Sequence, residues 1–343
     1  MQPIATLTDF FDRSGAEVRL YHMGRRVTPC PLTTLAEFER GSEPWPAPWQ
    51  SEARLACVFR LRPAQEPMIW FLALPLDEQG QLSAAPRDAF IQRLLETLGR
   101  SAERREAAQQ ADDIDNLMKD NPLAFTPTLA LQAMLHARAS ADLDAPASQH
   151  HELAEEYLTG QRDHDWQALG LQGLADVAVR HDAIQAERLA ARLAALPTDV
   201  LQPLCYCLEH LALAPSLAAA LRQCGERAAE TGDLETLCAC VRAVGASQTV
   251  AAAWYSELLN DPAACGPDLL AAMAARGWEH LEDDERLPLF LTRLAEHPEA
   301  EFSALARDLA LIPRLRLPVL MTLRQADPGS AIGQRLRGLT AQC

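Results

Sequence analysis

Arg25 and Arg26 are the basic residues whose spacing points most directly to a binding site. They follow Gly24 where a predicted strand ends. Neighbouring guanidinium groups bind phosphate or carboxylate through forked hydrogen bonds, so the pair predicts an anion site. The alternative is an exposed pair, or one arginine bridging to Glu37 or Glu39.

A second polar candidate is the acidic pair Asp77 and Glu78, which stands in the segment Asp77-Glu78-Gln79-Gly80. Two carboxylates could bind a metal ion or act as acid and base. A turn that ends in Gly80 explains them equally well, because an Asp side chain accepts hydrogen bonds from the backbone just after it.

Tryptophan alternates with proline in the segment Pro44-Trp45-Pro46-Ala47-Pro48-Trp49. Proline fixes φ, so this stretch is predicted to be stiff and extended. Trp45 and Trp49, together with Trp70 and Phe71, could line a groove for a proline-rich or aromatic partner. They could equally form the core of a small domain.

The cysteine and histidine motifs do not predict a metal site. Cys205 and Cys207, like Cys238 and Cys240, are two positions apart on predicted helices, where the side chains point about 200° apart and cannot share a tetrahedral zinc ion. His150-His151 with the glutamates after it could bind a transition metal, but a solvated helix start is the simpler interpretation. The chain has no glycine-rich phosphate loop, nucleophile elbow or zinc-protease motif. We therefore predict no catalytic residue, no metal and no cofactor.

The strands and helices that must position the N-terminal candidate residues are predicted from the spacing of apolar residues and from the glycines and prolines between the segments. Strands are expected at Val18–Met23, Arg54–Leu61 and Met68–Leu76, and helices at 6–15, 32–40 and about 85–108. Residues 1–108 are therefore predicted to form a small α+β domain of about three strands and three helices.

The middle of the chain reads as stacked amphipathic helices. Leu201, Leu204, Cys205 and Cys207 recur thirty-three positions later as Leu234, Leu237, Cys238 and Cys240, and the block Ser216–Leu221 recurs as Thr249–Trp254. Each unit is long enough for two helices and a turn, and Gly232 followed by Asp233 predicts a helix stop and then an N-cap. The pattern predicts an all-α domain of HEAT-like or tetratricopeptide-like hairpins, a solenoid, over residues 151–343. Residues 109–150 are predicted to be a helical connector and linker, so the whole chain is mostly α.

Charge and cysteine usage limit the class of protein. The net charge is −16, and residues 111–300 hold 12 basic and 30 acidic residues, which argues against nucleic acid as the main ligand. The basic residues within 301–343 are the one group that could bind nucleic acid instead. The nine cysteines lie mostly in apolar runs, as free thiols do in a reducing compartment. No apolar segment approaches membrane-spanning length and the N-terminus has no signal-like pattern, so we expect a cytoplasmic protein.

Several N-terminal motifs together resemble a known family. They are Met23-Gly24-Arg25-Arg26, Phe38-Glu39 followed by Pro44-Trp45-Pro46, Trp70-Phe71 running into Pro75–Gly80, and Asp120-Asn121-Pro122 followed by Phe125. They are similar to an uncharacterised bacterial family of unknown function, family 3549, and the resemblance is strongest over residues 1–140. Trp45 stands where the family pattern would have Tyr. The resemblance implies no activity, ligand or catalytic residue.

The sequence therefore favours a non-enzymatic scaffold or adaptor that binds a partner protein on the helical solenoid. Arg25, Arg26, Trp45, Trp49 and Asp77 are the candidate anion-binding or partner-binding residues. The alternative is an enzyme or a sensor of small molecules or anions, with a pocket where the α+β domain meets the helices.

Overall fold

The chain is mostly helical, with one small antiparallel sheet near the N-terminus, as the sequence predicts. The computed structural model describes residues 4–60, 67–104, 118–119, 121–162 and 166–340. It divides into unit 1, residues 1–128 with 311–313, and unit 2, residues 129–310 with 314–343. The division at residue 128 falls inside the predicted connector.

The sheet of unit 1 has four strands rather than the three expected. They are β1 (Glu17–His22), β2 (Thr28–Cys30), β3 (Glu52–Arg60) and β4 (Met68–Pro75), in the spatial order β2-β1-β3-β4, all antiparallel. The unpredicted β2 is only three residues long and has Pro29 at its centre, which lacks a backbone donor; such a residue is tolerated on an edge strand. The predicted end of β3 at Leu61 lies outside the described residues.

Three helices cover one face of this sheet. They are α1 (Leu7–Ser14), α2 (Leu32–Glu39) and α3 (Ala84–Arg104), close to their predicted positions. The predicted continuation of α3 to Ala108 is outside the described residues. Trp70 of β4 lies at the centre of the core, with its ring centroid 4.6 Å from that of Phe59 and 5.7 Å from that of Phe90. Alternate residues of each strand reach this core because strand side chains point to opposite faces in turn.

Glu39, the last residue of α2, links α1 and α3. Its carboxylate accepts hydrogen bonds from the backbone N–H groups of Leu7 (2.7 Å) and Thr8 (3.0 Å), two donors that no carbonyl in α1 can satisfy. Arg87 of α3 approaches the same carboxylate at 3.5 Å. The carboxylate is thus a cap for α1 and an ion-pair partner for α3.

From residue 129 onward the described chain is a succession of helices. They are α4 (Leu129–Asp142), α5 (His151–Leu158), α6 (Leu171–Arg180), α7 (Ala183–Arg192), α8 (Thr198–Leu208), α9 (Pro215–Thr231), α10 (Leu234–Ala243), α11 (Val250–Asn260), α12 (Pro267–Arg276), α13 (Arg286–Glu296), α14 (Phe302–Leu311), α15 (Pro313–Gln325) and α16 (Ala331–Thr340). Within the described residues, no helix is both long enough and apolar enough to cross a bilayer.

The helices of unit 2 pack as two rows. In the first row α4, α6, α8, α10 and α12 each contact the next; in the second row α5, α7, α9, α11 and α13 do the same. Neighbouring helices of the first row contact each other more extensively than the second-row pairs α9–α11 and α11–α13 do. Alternate helices thus lie side by side, which aligns equivalent positions of α8, α10 and α12.

The turn between the rows at residue 232 follows the predicted chemistry. α9 ends at Gly232, whose φ of 76° is a left-handed conformation that glycine adopts without steric cost. Asp233 then caps α10 by accepting a hydrogen bond from the Thr236 N–H at 3.0 Å. The predicted stop and cap are both confirmed.

Candidate functional site

A cluster of buried charged side chains joins the C-terminal ends of three first-row helices. Glu209 follows α8 directly, Arg242 lies in the last turn of α10, and Arg276 ends α12. Because these helices stand side by side, the three side chains meet although they are 33 and 34 residues apart. Arginine at a helix C-terminus is also favoured by the partial negative charge of the last carbonyls.

Both oxygens of the Glu209 carboxylate are occupied. Arg242 donates from Nε to Oε2 at 2.7 Å and from its terminal nitrogen to Oε1 at 2.9 Å. Arg276 donates from Nε to Oε1 at 2.6 Å. The two-pronged Arg242 contact is the strong geometry for an arginine and a carboxylate.

The cluster keeps Glu209 ionised in the interior. Burial by itself would raise the pKa of Glu209, but Arg276 and Arg242 outweigh it and lower the pKa to about 2. At neutral pH this carboxylate therefore carries a charge that two arginines already satisfy. It is therefore poorly suited to accept or release a proton near neutral pH, and it accepts hydrogen bonds from both arginines as a fixed negative charge.

Arg242 is the member of the cluster that reaches the protein surface. Its guanidinium lies over the ring of Tyr206, 5.4 Å from the ring centroid, and its side chain is about a quarter exposed. Half-buried Gln202 of α8 donates to the Thr236 hydroxyl at 3.0 Å and fixes the same pair of helices. Leu234, at the start of α10, is 62% exposed. We refer to Tyr206, Leu234 and Arg242 as the first-row face.

The chain next to the cluster, where α12 ends, is closely packed. Tyr255 of α11 donates from its hydroxyl to the Val241 carbonyl at 2.9 Å, and its ring lies edge-on against that of His280. His280 bonds the Gly245 carbonyl through Nε2 at 3.1 Å. A Cβ on Gly277 would lie 2.2 Å from the Tyr255 ring, so only glycine fits next to Arg276.

The structure places Arg25 and Arg26 inside unit 1. The Arg25 side chain is fully buried; its Nε donates to the Pro48 carbonyl at 2.8 Å, and its guanidinium lies 5.3 Å from the centroid of the Trp49 ring. Arg26 is also buried. This geometry fixes the Pro-Trp segment against the strand end, and the anion site stays a prediction.

Trp45, Trp49 and Asp77 differ in how far they are exposed to solvent. Trp45 is fully buried against Phe38, with ring centroids 5.1 Å apart, while Trp49 is half-buried. Exposed Asp77 accepts hydrogen bonds from the N–H groups of Gln79 (2.8 Å) and Gln81 (2.9 Å), which is the turn geometry considered as its alternative role. Partner binding by these residues is a prediction that the geometry does not itself test.

The side chain of His22, which packs against Trp45, is sensitive to pH. The His22 ring is 4.9 Å from the Trp45 ring, and its buried Nδ1 has no hydrogen-bond partner. Burial lowers the pKa of His22 from 6.5 to about 4. The unfolded chain therefore takes up a proton that the folded chain does not, over the range between these two values.

We expect the free energy of unfolding to fall as the pH drops from about 6.5 to about 4, by up to about 3 kcal/mol from this histidine alone. His22→Phe keeps a ring and removes the titration, so this part of the pH dependence should vanish. Urea titrations of both proteins at several pH values measure it. A constant difference between the two proteins from pH 8 to pH 4 would contradict the assignment.

Three of the four paired cysteines lie in the interior of unit 2, and Cys238 is half-buried. Cys205, Cys207 and Cys240 are fully buried, and the thiols of Cys205 and Cys240 are hydrogen-bonded across α8 and α10. That contact and burial both raise the pKa of Cys205. Burial also raises the pKa of Cys207, so the thiols of Cys205 and Cys207 stay protonated and act as small packing groups.

The contact of Glu209 with the two arginines was not predicted from the sequence. A usable signal was present: Glu209 and Arg242 have opposite charges at the same offset of 33 residues as the cysteine pairs. Opposite charges at matching repeat positions predict a contact between neighbouring helices of one row. Arg276 lies one residue beyond the next such offset.

Comparisons with known proteins place most of the chain within one family model. Residues 2–340 match the model described as "Protein of unknown function (DUF3549)". No curated protein and no solved structure matches the chain.

Proposed function

Since the chain belongs to this family of proteins of unknown function, we propose its role from its own geometry: it is a non-enzymatic scaffold or adaptor that binds a partner protein on the first-row face. The observation that carries the proposal is the fixed position of Arg242 over Tyr206, held by the buried carboxylate of Glu209.

The two rows of helices support a solenoid of hairpin repeats. Ala218 and Ala251 are equivalent in the 33-residue register and both are fully buried, and Leu221 and Trp254 are equivalent and buried as well. A solenoid presents a long continuous row of helices, and such rows commonly bind proteins or peptides. Closer contacts within the first row are consistent with that row lying on the inner side of a curved array.

The residue types of the first-row face suit protein recognition. Tyrosine and arginine are enriched among the residues that contribute most to binding energy at protein interfaces. Side chains that are already held in place lose less conformational entropy on binding. Leu234 is exposed, whereas Leu201, its counterpart in the repeat, is buried. A partner could cover the exposed leucine at the start of α10 together with the anchored Arg–Tyr pair near its end.

The test compares two variants of the full chain. Tyr206→Ala/Leu234→Ser alters the first-row face, and the matched control Gln223→Ala/Ala253→Ser alters the second row, where both residues are exposed. Each tagged protein is used to capture partners from a lysate of the native organism, with a thermal melt to check folding. The captured partner is then titrated by biolayer interferometry.

We expect the wild type and the control to retain one stoichiometric partner, and the first-row variant to bind it at least about 30-fold more weakly, since central interface residues are each worth about 2 kcal/mol or more. Equal binding by all three proteins would remove the first-row face from the proposal. The absence of any retained partner would overturn the scaffold role.

A further inference from the structure

Helix α15 exposes a cluster of apolar side chains. Leu317, Leu320 and Met321 are 67%, 47% and 40% exposed. Their spacing of three and four residues places them on one side of the helix. The other large exposed apolar residues in the described part of the chain each belong to a different segment: Ile69, Leu129, Ile184 and Leu234.

This apolar side is not the one with which α15 packs into the fold. Leu315 and Val319 supply that side, and both are fully buried. A helix that is apolar on both its inner and its outer side is expected to be covered on both. Contiguous exposed apolar groups of this kind commonly mark an interaction site.

The charge around the apolar side is positive. Arg314, Arg316 and Arg324 belong to α15, and the helix Pro313–Gln325 contains no Asp or Glu. The Arg314 side chain is 82% exposed and forms a surface ion pair with Glu282 at 3.4 Å, and Arg324 is exposed. The chain as a whole has a charge of −16, so this basic, apolar helix differs in sign from the chain as a whole.

We propose that the outer side of α15 docks an acidic amphipathic helix of a partner protein. The apolar side of such a helix covers Leu317, Leu320 and Met321, and its flanking carboxylates pair with Arg314 and Arg324. Helix-on-helix docking of this kind is a common recognition mode, with apolar anchors spaced by three, four and seven residues. The site uses other residues than the first-row face and does not depend on that face binding a partner.

Charge decides between the possible occupants. Two copies of α15 facing each other would bring their arginines together, and like charges across an interface oppose association. An anionic lipid surface would attract α15 but repel the acidic remainder of the chain. An acidic helix satisfies the apolar side and the arginines without either cost.

The probe is a pair of fluorescein-labelled helical peptides with the same leucine positions. One carries glutamate at its polar positions and the other carries lysine. Fluorescence anisotropy measures their binding to the full-length wild type, to Leu317→Ser/Met321→Ser, to Arg314→Glu/Arg324→Glu, and to the control Ile184→Ser, which alters a lone exposed apolar residue on α7.

We expect the glutamate peptide to bind the wild type and Ile184→Ser at least about tenfold more tightly than the lysine peptide, and more weakly as salt is raised. Leu317→Ser/Met321→Ser should lose at least tenfold in affinity, and the charge-reversed variant should prefer the lysine peptide. Equal binding of the glutamate peptide to the wild type and the serine variant, or no binding at all, overturns the proposal.

Two further measurements separate the other occupants. Sedimentation velocity would show a dimer for the wild type and a monomer for the serine variant if a second copy covers α15. Cosedimentation with vesicles of phosphatidylcholine and phosphatidylserine would show binding by the wild type alone if the surface is lipidic. Either result would overturn the docking of an acidic helix.

Discussion

Replacing Glu209 by Gln should lower the free energy of unfolding by about 3–5 kcal/mol, because it leaves Arg276 buried without its counter-charge. The neutral amide has nearly the same size, so the loss reports charge and hydrogen bonding and not a cavity. It also replaces one carboxylate oxygen by an NH2 group, so one of the two Arg242 donors loses its acceptor. Urea titration followed by circular dichroism at 222 nm measures the change.

The matched control is Glu226→Gln. Glu226 also pairs with an arginine, Arg222, at 2.7 Å, but both side chains are substantially exposed to solvent. Exposed pairs contribute up to about 1 kcal/mol, so this variant should remain close to the wild type. Equal effects of the two substitutions would show that the burial of Glu209 does not matter.

The same substitution has a pH signature. The folded-state pKa of Glu209 is about 2, below its ordinary value of 4.5. The stabilisation is therefore fully present above about pH 4.5 and is lost as the pH falls from 4.5 towards 2. In Glu209→Gln this contribution is already missing, so the two proteins should converge in stability at low pH.

Gly245→Ala should lower the free energy of unfolding by about 3 kcal/mol, at the upper end of ordinary overpacking costs. A Cβ at this position would lie 2.6 Å from the carbonyl oxygen of Arg276 and 2.8 Å from its carbonyl carbon. These are backbone atoms and cannot rotate away, so the end of α12 has to move. Thermal and urea unfolding measure the loss.

Gly338→Ala provides a control with the opposite expected sign. Gly338 is exposed in α16, and no atom lies within 4 Å of a Cβ built there. Alanine favours a helix interior by up to about 1 kcal/mol over glycine, so stability should stay the same or rise. A neutral Gly245→Ala would show that α12 yields easily and that the close approach has no energetic weight.

Local features of the fold could be predicted because their causes are local. The stop at Gly232 and the cap at Asp233 depend on the conformational freedom of glycine and on the short polar side chain of aspartate. The helices of unit 1 and three of its strands follow from periodicity. Strand β2 was missed because three residues around a proline carry almost no periodic signal.

The environment of individual polar residues was harder to predict because it depends on distant parts of the chain. Arg25 looked like a surface cation, yet its guanidinium reaches the Pro48 carbonyl and the ring of Trp49. Trp45 looked equally suited to a groove and to a core, and it is buried. The Glu209 cluster requires knowing that α8, α10 and α12 are neighbours, which only the stacking of the rows supplies.

The Glu209 cluster also limits how this part of the chain can change length. Stacked helical pairs generally tolerate the duplication or deletion of one pair, because each pair contacts only its neighbours. Here one carboxylate binds the next first-row helix and also the one after it. An extra pair inserted between α8 and α12 would separate Glu209 from Arg276 and leave a buried charge uncompensated. Residues 198–276 are therefore a segment of fixed length, and variation in repeat number is expected to lie outside it.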